Sequence, residues 1–169
     1  MPSKRLEFGD FSALTGISND SYDATIKNLT IASENSFAQL VPLRIVAGFN
    51  HVFTALEHAL SAFELGSAFA RKPELEFIIR LCAEKQLNRA LEIAEFGKEP
   101  LLLVAKSGEI KKIARGIGFV GKKFEIGKNK AELMKIFGIS KRELEAMKDS
   151  KSALEELVIE KCALVALEK

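Results

Sequence analysis

Pro100-Leu101-Leu102-Leu103-Val104-Ala105 is the run from which the fold reads outward. Five consecutive apolar residues behind a proline, with no polar alternation, read as a short strand at the centre of a sheet, buried on both faces. Three helical patterns precede it with no strand between them. Asn50 offers an N-cap to the first, in which Val52, Phe53, Leu56, Ala59, Leu60 and Phe63 form one apolar stripe closed by Gly66. Pro73, Glu74 and Glu76 open the second, whose buried face is Leu75, Ile78, Ile79 and Cys82. The third, 86–96, places Leu87, Ala90, Leu91 and Ala94 on one side and stops at Gly97.

Beyond the central run, 108–117 reads as a helix with Ile110, Ile113 and Ile117 inside, 119–126 as a short strand, and 129–137 as a helix stopped by Gly138. Ser140 with Glu143 and Ser152 with Glu155 have the spacing of capping boxes and mark two more helix starts. The end, 161–168, alternates and is rich in Cys, Leu and Val, which predicts a closing strand. Residues 4–8 alternate as an edge strand. Residues 37–47, interrupted by Pro42 and Arg44, predict a strand at a sheet edge. Between 15 and 36 a loop and a weak surface helix fit equally. About five strands and six or seven helices, without regular strand–helix alternation, predict an α+β fold with a small mixed or antiparallel sheet.

A chain of 169 residues predicts one compact domain spanning 1–169. With 47% hydrophobic and 28% charged residues it is no disordered or fibrous chain. No apolar stretch approaches the ~20 residues of a membrane span. The start carries Lys4, Arg5, Glu7 and Asp10 in place of a signal-peptide core, so a cytoplasmic location is expected. The formal net charge of +2 is too small for a general polyanion binder, which makes any nucleic-acid role local. Two clusters qualify. Lys106, Lys111, Lys112, Arg115, Lys122, Lys123, Lys128 and Lys130 face only Glu109 and Glu125 in their own segment. Arg71, Lys72, Arg80, Lys85, Gln86 and Arg89 flank the middle helices, where Glu74, Glu76 and Glu84 balance them. Arg and Gln there have the chemistry to bond the exposed bases of a single strand.

No catalytic, cofactor or metal site reads from the residues. Gly116-Ile117-Gly118-Phe119-Val120-Gly121 matches GxGxxG, but follows a helix and leads into a strand, the reverse of a dinucleotide site. His51 and His58 are seven apart, too far for a metal pair on one helix, and read as packing or capping residues. Cys82 and Cys162 sit among apolar residues as inert thiols.

The blocks VAGFNHVFTALEHALSAFE (46–64), ELEFIIRLCAEKQLNRALEIAEFG (74–97) and LEELVIEKCALVALEK (154–169) resemble the TPRKB family, the kinase-binding subunit of the KEOPS complex. Val46-Ala47-Gly48 and His51 match a strand end, a glycine and a helix-opening histidine. Glu76, Arg80, Gln86, Ala90 and Gly97 fall on the helix-pair pattern, and Glu160-Lys161 through Leu167 on the closing segment. The family often has Ser-Gly and then Arg-Gln-Ile where this chain has Cys82-Ala83 and Lys85-Gln86-Leu87; lysine keeps the charge but lacks the planar fork. Residues 1–36 are not matched.

The resemblance implies a small non-catalytic subunit, without cofactor, of the machinery that threonylcarbamoylates the adenosine beside the anticodon of tRNA. Family members bind the complex's small atypical kinase and through it the other subunits; archaeal members also capture the single-stranded CCA end of tRNA. On that reading Arg71, Lys72, Arg80, Lys85, Gln86 and Arg89 are the RNA-binding candidates. Leu154, Leu157 and Val158, on the helix after Ser152, are the kinase-binding candidates, buried either in the core or in a partner surface. A protein-only interaction module is the alternative, and an enzyme using the glycine turn a distant third.

Overall fold

The computed structural model describes residues 5–167, and within them the chain packs as two compact units. One comprises the chain up to Leu43 together with Glu95–Glu125; the other comprises Arg44–Ala94 and the chain from Ile126. The class is α+β, with a five-stranded antiparallel sheet and, among the described residues, eight α-helices.

The sheet lies in the first unit. Strands β1 (Arg5–Phe8) and β2 (Phe11–Ser18) form a hairpin with Arg5 opposite Leu14 and Phe8 opposite Phe11. Gly9 turns it at φ +58°, where a side chain would be strained. Lys4, the first residue of the expected edge strand, lies outside the described residues. The central run is β4 (Leu101–Lys106), between β2 and β3 (Ala38–Pro42), and all of it but Lys106 is buried. β5 (Phe119–Gly121) pairs with the far half of β2, Gly16 opposite Gly121. Gly16 permits that approach, since a Cβ there would fall 2.4 Å from the Val120 carbonyl oxygen.

β2 is the strand that the polar reading of this region hides. Its Ser12, Thr15 and Ser18 are buried, yet each hydroxyl has a partner: Ser107 Oγ at 2.7 Å, the Lys122 carbonyl at 2.6 Å and Thr25 Oγ1 at 2.8 Å. Small hydroxyls that pair internally pass into a core at little cost. Residues 22–32 then form α1 (Tyr22–Ala32), with the Ser21 hydroxyl accepting the Ala24 N–H. Below the sheet Leu29, Leu40, Leu103, Ile110 and Ile113 meet in one cluster with Ile117 at the end of α5 (Ile110–Gly116).

The second unit is helical: α2 (Phe49–Glu64), α3 (Pro73–Leu81), α4 (Leu87–Ala94), α6 (Lys130–Ile136), α7 (Lys141–Ala146) and α8 (Ala153–Leu167). The closing strand expected over 161–168 is absent as far as Leu167, because α8 continues through it; Glu168 lies outside the described residues. Leu154, Leu157, Val158, Cys162 and Val165 recur at three and four residues, and that stripe buries as a helix face. The strand over 37–47 stops at Pro42, followed by a 3₁₀ turn at Leu43–Ile45, and that over 119–126 shrinks to three residues.

The caps are also redistributed. Ser140 and Glu143 form their box, the Ser140 N–H reaching Glu143 Oε2 at 2.7 Å. Ser152 and Glu155 do not: Glu156 accepts the Ser152 hydroxyl at 2.6 Å and the Ser150 hydroxyl at 2.7 Å. Asn50 falls inside the first turn of α2, whose N-cap is Gly48 and has no side-chain cap.

Candidate nucleic-acid interface

Helix α3 ends in a tight reversal that sets the geometry of the candidate site. The Ala83 N–H donates to the Arg80 carbonyl at 3.2 Å and the Glu84 N–H to the Ile79 carbonyl at 3.1 Å, the two bonds of a Schellman cap. Ala83 takes the left-handed position at φ 50°, the one non-glycine residue with positive φ among those described. That conformation costs an alanine roughly 1–2 kcal/mol. The reversal presents Glu84, Lys85 and Gln86 outward, and the Gln86 N–H donates to Glu84 Oε1 at 3.1 Å.

These residues form one wall of a cleft of about 420 Å³. Ile136 and Phe137 at the end of α6, and Lys161, Leu164 and Val165 of α8, form the remainder. Lys161 is held by Glu143, Nζ to Oε1 at 3.3 Å. The lining combines two ammonium groups, the Glu84 carboxylate, an amide and an apolar surface. Nothing in local spacing links 136–137 or 161–165 to 82–86; only packing of three helices brings them together.

The six expected RNA contacts are separated. Lys85 and Gln86 line the cleft, and Arg89, on α4, is exposed with Nε 3.6 Å from Glu84 Oε2. Arg71 and Lys72 are exposed at the other end of α3, about 13 Å away for a helix of nine residues. Arg80 is no surface contact. It is 3% exposed, with Nε and Nη2 at 2.8 and 2.6 Å from Glu76 Oε1, and Glu76 is wholly buried. Sequence distance groups this arginine with its neighbours, but at i, i+4 to a buried carboxylate it turns inward.

The kinase-binding candidates are corrected too. Leu154, Leu157 and Val158 lie in the core cluster with Leu133, Phe137 and Cys162, which leaves no side chain of the three to dock a partner. On the same helix Leu164 and Leu167 are 44% and 78% exposed.

His51 is a satisfied core histidine. Nδ1 accepts the Ala47 N–H at 3.2 Å, so the proton sits on Nε2 and is donated to the Leu81 carbonyl at 2.9 Å. Burial pulls its pKa down to about 4, against the opposing pull of that carbonyl. His58 is also held below the ordinary histidine value, by burial and then by Arg80, with Glu57 opposing. Both cysteines are buried, and burial pushes both thiols up. Among the described residues no three His, Cys, Asp or Glu side chains group as a metal site, and no helix is long and apolar enough to cross a membrane. The glycines at 116–121 join the end of α5 to β5. The basic run from Lys106 to Lys130 is exposed at all eight cations and is divided between the two units after Glu125.

No family model and no curated protein matches this chain.

Proposed function

We propose that this chain is a non-catalytic, cytoplasmic accessory subunit of the KEOPS type, which docks the complex's small atypical kinase and holds the single-stranded CCA end of tRNA while the adenosine beside the anticodon is threonylcarbamoylated. The cleft at Lys85 and Gln86 carries the reading. Two lysines suit phosphate oxygens, the Gln86 amide suits a base edge, and Ile136 and Leu164 suit the faces of unstacked bases. Ala83 supports the family placement, because its left-handed backbone favours glycine and the family's glycine falls at that position. Kinase docking then falls to the end of α8, at Leu167.

The test is a gel shift at physiological salt with intact tRNA and with tRNA lacking its CCA end. Intact tRNA should bind at least tenfold more tightly, and Lys85→Glu or Lys161→Glu should remove the difference while leaving the fold intact. Equal binding of the two tRNAs would refute the assignment. The exposure of Leu167 equally favours a module that binds protein alone; in that case the purified kinase subunit binds, Leu167→Glu releases it, and no tRNA is shifted.

A further inference from the structure

The buried Glu76–Arg80 pair does something other than stabilise α3. Glu76 gives one carboxylate oxygen, Oε1, to the Arg80 guanidinium, and the other, Oε2, to the backbone N–H groups of Phe69 and Ala70, both at 2.8 Å. The same guanidinium lies 5.1 Å from the centroid of the Phe69 ring. A buried ion pair adds little net stability compared with an apolar packing of the same volume. What this one achieves is to fasten a surface loop at two consecutive N–H groups and to back its aromatic ring. The loop so fixed presents Phe69, 38% exposed, followed by Arg71 and Lys72, both exposed.

We propose that Phe69 is a stacking platform for one base of a single-stranded nucleic acid, with Arg71 and Lys72 taking the neighbouring phosphates and Glu76 and Arg80 acting as positioning residues. An aromatic face beside cations is how sequence-tolerant single-strand binding is built. Fixing the loop beforehand removes the ordering cost that a flexible loop would bring to binding. The proposal rests on the RNA-binding reading above, but assigns a second contact at the opposite end of α3 from the Lys85 cleft.

The chain contains no tryptophan, so Phe69→Trp introduces a single indole at the proposed contact. A single-stranded RNA tetranucleotide should quench its emission, and an abasic tetranucleotide of the same backbone charge should not. Phe69→Ala should weaken tetranucleotide binding about tenfold, the usual effect of losing one base–aromatic stack, while Phe69→Tyr restores it. Wild-type affinity in Phe69→Ala, or equal quenching of the Phe69→Trp emission by the abasic strand, would overturn the platform and leave the cleft assignment standing. Absence of RNA binding by the wild-type chain would overturn both.

Discussion

The Glu155 carboxylate accepts the backbone N–H of His51 at 3.0 Å, across 104 residues of sequence. Helix α2 therefore receives at its first turn an acceptor from α8 that its own cap residue does not supply, at the end where the macrodipole favours an anion. Gly48 makes room for it: a Cβ there would lie 2.2 Å from the carboxyl carbon of Glu155. The backbone at Gly48 is extended, so the requirement is for space alone.

Gly48→Ala displaces that carboxylate and Glu155→Ala deletes it, so each is predicted to cost about 1 kcal/mol, as loss of a helix cap does. Because both remove the same bond, the double variant should cost clearly less than the sum. Urea denaturation of the four proteins measures this; strict additivity would show that the two residues act separately.

His51 makes stability depend on pH. Its folded pKa is about 4 against an ordinary value of 6.5, so between those values the unfolded chain binds the extra proton. Stability should therefore fall as pH drops from 6.5 towards 4, by on the order of 2 kcal/mol at pH 4.5. The ring resonances of His51 should show no titration above pH 5. A midpoint near 6.5 by NMR would contradict the burial and hydrogen bonding described.

Arg80→Ala leaves Glu76 charged in the interior with only two backbone partners, and removal of one member of a buried pair costs about 3–5 kcal/mol. Arg80→Glu should fail to fold, whereas Lys85→Glu melts like the wild type. Thermal unfolding by circular dichroism separates the two. A stable Arg80→Glu variant with weakened RNA binding would return Arg80 to the surface.

Ala83→Gly should stabilise the chain by about 1 kcal/mol. It relieves the left-handed strain, less the added freedom of the unfolded glycine. Denaturant midpoints with an unchanged slope test this, and a destabilised variant would mean that the Ala83 methyl packs to greater advantage than the backbone suffers.

Periodic segments were readable because the helical stripe and the apolar run are local signals. β4, α3 with Pro73 at its start, α5 with Ile110 and Ile113 inside, and α6 before Gly138 all lie where spacing puts them. Where the signal was ambiguous, the structure went the other way. β2 hides behind hydroxyls that find partners inside, and 161–167 looks alternating while its buried residues follow a helical period. The five strands expected and the five observed thus agree in number because one omission offsets one excess. At the candidate site, Lys85 and Gln86 were accessible from their neighbourhood, and so were Arg71 and Lys72. Lys161, Phe137 and Leu164 were not.

By itself the sequence determined the α+β class, the position of the central strand and the ends of most helices, since these depend on periodicity, proline and glycine within a few residues. Tertiary structure alone decided which charges face outward and which polar groups pair. Arg80 turns to a buried carboxylate, Glu155 leaves its own helix start to cap α2, and a lysine from α8 joins a turn after α3. The physical reason is that a polar side chain's place is set by the partner that offsets its desolvation, and such partners lie close in space at any distance along the chain.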